Sequence, residues 1–66
     1  MSVYKIIELV GTSHDSWEDA AQQAVEKADQ TLRGLRIAEV IKLDLKLEEG
    51  QPITYRARVA LSFKYD

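Results

Sequence analysis

The sequence predicts an α+β domain of order β–α–β–β: a three-stranded antiparallel, curled sheet wrapped around one helix. Three observations predict it. Apolar residues recur at spacings of three and four between Ser16 and Arg33, the helical period. Apolar and polar residues alternate from Leu35 to Glu49 and again from Ile53 to Tyr65, the strand period. A run of β-branched and aromatic residues ahead of the helix supplies one more strand.

The first strand is expected over residues 3–10, with Gly11-Thr12-Ser13 as the turn that closes it. Its two faces are Val3, Lys5, Ile7, Leu9 and Tyr4, Ile6, Glu8, Val10. Both are largely apolar, so partial burial on both sides is expected. A domain this small has little to cover a second face, which points to a partner chain.

The helix is expected over residues 16–33, with Trp17, Ala21, Ala24, Val25, Ala28 and Leu32 forming its buried stripe. Ser16 followed by Asp19 is a capping-box pattern, in which the hydroxyl satisfies one orphan N–H and the carboxylate reaches back to another. Glu18 and Asp19 sit at the positive end of the helix dipole and Arg33 at the negative end. Gly34 is the expected left-handed stop. A stripe made mostly of alanine brings the helix close to its support. The outer face, with Asp15, Glu18, Glu26 and Asp29 against Lys27, is acidic.

Residues 35–49 place Leu35, Ile37, Ile41, Leu43, Leu45 and Leu47 on one face and Arg36, Lys42, Asp44, Lys46 and Glu48 on the other. Glu39 breaks the apolar face, and Ala38 and Val40 break the polar one. A bulge or bend near 38–40 would reconcile them. Residues 53–65 alternate without a break, and the polar Glu48-Glu49-Gly50-Gln51-Pro52 stretch joins the two strands into an antiparallel hairpin. Strands longer than the usual five or six residues must twist, hence the curl.

With 66 residues, the chain is read as a single domain spanning 1–66. Chains this short are marginally stable alone and usually add disulfides, a metal or oligomerisation. The absence of cysteine excludes disulfides and thiolate metal sites, and the lone His14 excludes a two-histidine site within one chain. Self-association is left as the source of extra stability. The net charge of −2 argues against a general nucleic-acid binder. No apolar run approaches the roughly 20 residues needed to span a bilayer. The first residues lack the pattern of a signal peptide, so a cytoplasmic protein is expected.

Few residues offer chemistry. Ser13, His14 and Asp15 are adjacent, whereas a catalytic triad is assembled by the fold rather than lined up along a loop. A solvated turn into the helix is the reading preferred for them. Glu48 and Glu49 match no calcium loop, although symmetric chains could pool carboxylates. Trp17 belongs to the helix stripe and reads as core. Arg56 and Arg58 share the polar face of the last strand, and Arg36, Lys42 and Lys46 share that of the strand before it. If these faces adjoin, the sheet carries a basic strip able to meet a phosphate. The simpler reading pairs these charges across strands with Asp44 and Glu48. No glycine-rich phosphate loop, acid–base pair or activated nucleophile stands out, so no enzyme is expected.

In the stretches 3–13, 16–36, 38–40 and 54–66 the chain resembles the dodecin family, with length and element order also agreeing. The resemblance implies a hollow homododecamer of tetrahedral symmetry, with helices outside and sheets inside. It implies a non-enzymatic role: binding flavins such as FMN or riboflavin in pairs at two-fold contacts, for storage and protection from light-driven side reactions. In that family the flavin ring stacks on a tryptophan just before the A/F-E-V stretch, and a glutamine in the last strand binds the ring edge. Those positions here are Ile37 and Arg56. Aromatic stacking contributes roughly 1–3 kcal/mol per ring, so losing two faces per pocket weakens flavin by several factors of ten. Ile37 still offers an apolar contact, and Arg56 can stack or bind a phosphate; with the adjoining Arg36 they are the candidate ligand-binding residues. Family members without the tryptophan include calcium-binding ones. The resemblance therefore implies flavin binding that is weak or lost, with a calcium-binding dodecin or a purely structural shell as the alternative. It assigns no metal ligands.

Overall fold

The computed structural model describes residues 1–65; Asp66, the end of the last stretch of resemblance, lies outside them. The elements are β1 (Tyr4–Ser13), α1 (Trp17–Asp29), β2 (Leu35–Lys46) and β3 (Thr54–Lys64). The sheet is three-stranded with order β1-β3-β2, and both pairings are antiparallel. Element order and hairpin are those expected, and α1 lies on one face of the sheet.

Three boundaries differ from the sequence reading, each for a physical reason. The first strand does not end at Val10: Gly11, Thr12 and Ser13 continue the ladder opposite Ala57, Arg56 and Tyr55. Gly11 serves close packing rather than a turn. A Cβ there would stand 1.9 Å from the Ala20 carbonyl oxygen, so only glycine lets the helix backbone come so near the strand. The helix ends at Asp29, four residues early, and the amides of Thr31 and Leu32 both donate to the Ala28 carbonyl at 3.1 and 2.8 Å. Leu32 still packs on the core from outside the helix. Gly34 has the expected positive φ of 75°, but it turns the chain into β2 rather than closing α1. At the hairpin the strands stop at Lys46 and restart at Thr54, and the turn is closed by the Gln51 amide donating to Glu48 O at 3.1 Å. Gly50, with φ 77°, occupies the position where such a turn requires positive φ.

The capping box is half formed. The Ser16 hydroxyl accepts from the Asp19 amide at 3.0 Å, as expected. The Asp19 carboxylate does not reach back to Ser16; it accepts the Ser13 hydroxyl at 2.6 Å and so ties α1 to the end of β1.

The irregularity in β2 is two bulges, not one. Register shifts fall between Leu35 and Ile37 and between Val40 and Lys42, leaving Arg36 and Ile41 as extra residues. Each shift flips the alternation. Ala38 and Val40 therefore stand opposite Leu61 and Val59 on the helix side, and Glu39 stands opposite Ala60 on the open side. Beyond Ile41 the pattern flips back, so Leu43 and Leu45 return to the helix side. The misplaced Ala38, Glu39 and Val40 of the sequence are the segment between the bulges.

The buried core is small: Ala20, Ala24 and Ala28 of α1 against Ala57, Val59 and Leu61 of β3. The helix stripe is centred on Ala20 rather than Ala21, which flanks the core with Val25, Ile7, Leu9 and Leu35. β1 is half-buried only on its helix side; Tyr4, Ile6 and Val10 on the other face are exposed in the single chain. The hairpin projects past the helix, giving a body of 51 × 20 × 14 Å. Among the described residues, no helix is long and apolar enough to cross a membrane.

Candidate functional site

The sheet face away from α1 carries most of the polar chemistry, arranged in rows by the register. Glu8, Ala60 and Glu39 form one row; Val10, Arg58 and Lys42 the next; Thr12, Arg56 and Asp44 the one after. The two strand faces thus adjoin, as a basic strip requires. Arg56 is not free within it. Its Nε donates to Asp44 Oδ1 at 2.8 Å and its Nη2 to Oδ2 at 3.4 Å, a two-pronged pair across the strands. The hydrogen bond from Arg56 holds the Asp44 carboxyl below its ordinary range, aided by the charges of Arg56, Lys42 and Arg58. The same bond raises the Arg56 guanidinium. Lys46 pairs with Glu48 at 2.9 Å, along its own strand end rather than across the ladder, and draws that carboxyl down in turn.

Arg36 stands apart from the strip. As a bulge residue it has no partner in the ladder, and its Nη1 donates to the carbonyl of Leu35 at 3.3 Å. With Ile37 it rims a depression of about 200 Å³ floored by Val25, Leu35, Ala38 and Leu61. Ile37 is 63% exposed and stands opposite Ser62. Arg56 lies six residues farther along β3, roughly 20 Å away by strand rise. One chain therefore does not bring Ile37 and Arg56 together; a pocket using both draws them from different subunits.

Ser13, His14 and Asp15 are occupied in local structure. The buried Ser13 hydroxyl donates to Asp19 and accepts the Asp15 amide at 2.9 Å, while His14 Nδ1 lies 3.2 Å from Ile53 O. Trp17 anchors the helix start to the hairpin. Its indole N–H donates to Asp44 O at 3.0 Å, and its ring meets Tyr55 edge-on at 5.2 Å. Among the described residues, no three of His, Cys, Asp and Glu converge as a metal site.

Sequence reasoning missed one groove: about 400 Å³ between α1 and β2, lined by Trp17, Glu18, Ala21, Val40 and Leu43. Val40, which broke the polar face of its strand, was the available signal.

The Dodecin family profile matches residues 3–66. The calcium dodecin of Mycobacterium tuberculosis is 45% identical over 64 residues, covering 97% of this chain and 90% of that protein. The dodecin of Thermus thermophilus is 36% identical over 64 residues, covering 97% and 93%. The crystal structure of the mycobacterial protein, described as calcium-chelating with a novel calcium-binding site, superposes with a TM-score of 0.89 at 43% identity, covering 98% of this chain and 93% of that one. An arginine-to-alanine variant of the Thermus dodecin superposes at 0.90 with 35% identity, covering 100% and 98%. With this fold, this register and these relatives, the chain belongs to the dodecin family.

Proposed function

We propose that the chain, a single domain over residues 1–66, is a non-enzymatic binding protein of the dodecin type: a closed homododecamer that holds a small molecule or ion at contacts between subunits, in the cytoplasm. One observation carries this reading. Val40, Ile41, Leu43, Leu45, Leu47 and Ile53 on the projecting hairpin are each 42–71% exposed, a contiguous apolar surface that a lone chain leaves in water. A second copy is the natural cover, because the same chain presents the same unpaired sheet edges. The acidic balance of the chain supports a partner other than nucleic acid.

For the ligand, Ile37 and Arg56 in place of an aromatic ring and an amide support weak or absent flavin binding. The calcium reading draws support from the 45% identical mycobacterial relative named a calcium dodecin. With no cluster of ligating groups among the described residues of one chain, calcium would need carboxylates from several subunits. Light scattering tests the assembly: a mass near twelve times the 7.5 kDa chain is expected, and a mass near 7.5 kDa overturns the reading. Quenching of added FMN at micromolar concentration, and calorimetry with calcium after chelator treatment, decide between the ligands.

A further inference from the structure

We propose that Lys42 and Arg58 form an anion-binding site on the open sheet face, and that its ligand carries a phosphate or diphosphate group. The proposal rests on the binding-protein reading above and names the ligand class. The register sets Lys42 directly opposite Arg58, two cations side by side on one face. Like charges in that position destabilise a sheet unless something answers them. Among the described residues no carboxylate pairs directly with either one, and the charge of Asp44 reaches both only from the next row. The one carboxylate in the adjoining row, Asp44, is held by both oxygens on Arg56, and Lys46 is taken by Glu48. Among the described residues these are the only ion pairs, so Lys42 and Arg58 have no carboxylate within contact distance. Glu8 and Glu39 lie in the row on the other side, flanking Ala60 and diagonal to Arg58, at the roughly 7–8 Å of diagonal neighbours.

The setting selects the ligand. Arg58 is on the central strand with Val10 on one side and Lys42 on the other, so a bound group meets a guanidinium fork, an ammonium and an apolar flank together. A tetrahedral phosphate oxyanion accepts from the fork and the ammonium at once. Two cations answer a doubly charged anion better than a single carboxylate. The flanking Glu8 and Glu39 repel an extended polyanion and favour a compact one.

Calorimetry of the assembled protein with inorganic pyrophosphate at low ionic strength is the test. Saturable binding is expected, weakened roughly tenfold or more in the Lys42→Gln/Arg58→Gln double variant. The Asp44→Asn variant frees Arg56 and is expected to bind pyrophosphate several times more tightly. No heat with the wild-type protein, or unchanged affinity in the double variant, overturns the proposal. If the double variant does not assemble, Lys42→Gln alone decides: about tenfold weaker binding upholds the site, and unchanged binding overturns it. Light scattering on the same samples separates the two claims. An intact shell without pyrophosphate binding removes the anion site and leaves the assembly standing.

Discussion

The two sides of the sheet's helix-bearing face are built on opposite plans. Under α1, β3 presents Ala57, Val59 and Leu61, all at most 1% exposed, to three alanines of the helix. Beyond the helix, β2 presents Val40, Leu43 and Leu45 at 42–49% exposure, to a groove and then to solvent. The chemistry of the side chains is the same; what differs is cover. A thirteen-residue helix set close by alanines lies over β1 and β3 and meets β2 far less, at Leu35 and where Trp17 reaches the Asp44 carbonyl. The first region is a core in a single chain. The second becomes one only when another chain closes over it.

That contrast predicts two kinds of damage. Leu61→Ala removes a side chain that is fully enclosed by its own chain, and a loss of about 2–5 kcal/mol per chain is expected. It should appear as a lower thermal midpoint at every protein concentration. Leu43→Glu places a charge on the uncovered region and leaves the core untouched. Here the mass by light scattering should fall toward 7.5 kDa, and the midpoint should become dependent on concentration. If Leu61→Ala gave the concentration-dependent signature and Leu43→Glu did not, the division between the two regions would be wrong.

Gly11→Ala probes the edge of the covered region. The new Cβ meets backbone, the Ala20 carbonyl, which cannot swing aside as a side-chain tip would. Overpacking of this kind costs about 1–3 kcal/mol, occasionally more. Urea denaturation should show the midpoint falling, whereas Gly50→Ala should cost less because open space surrounds that position despite its positive φ. Ser16→Ala should cost about 1 kcal/mol through loss of the cap to the Asp19 amide, measured in the same way.

The covered region was the more legible in the sequence. Strict alternation over Ala57, Val59 and Leu61 and the alanine spacing of the helix each report a face that packs against one partner. β2 was harder to read because a bulge inverts every side chain after it, and two bulges five residues apart hide each other. Ala38, Glu39 and Val40 signalled an irregularity without saying that Arg36 and Ile41 were its source. Gly11 was misread as a turn because a glycine that admits a helix and one that reverses a chain look alike in sequence. The candidate site was legible only in part. The pairing of Arg56 with Asp44 follows from alternation, but the isolation of Arg36 and the opposition of Lys42 to Arg58 depend on where the bulges fall.

The smallest effect concerns the Asp44–Arg56 pair, on the exposed face, where solvent screens the interaction. The hydrogen bond from Arg56 sets the folded carboxyl below its ordinary value of 3.8, so the unfolded chain takes up a proton at higher pH than the folded one. The pair's contribution is complete above that ordinary value and fades as pH falls through the lowered one. Glu48, hydrogen-bonded by Lys46, follows the same sign from its ordinary 4.5. Carbon-detected NMR titration should place the Asp44 midpoint below 3.8 and return it toward that value in Arg56→Gln. A midpoint unmoved by Arg56→Gln would show that Lys42 and Arg58, not the pair, hold the carboxyl down. It would also mean that these two cations, rather than Arg56, are the main hold on Asp44, leaving less of their charge for a ligand.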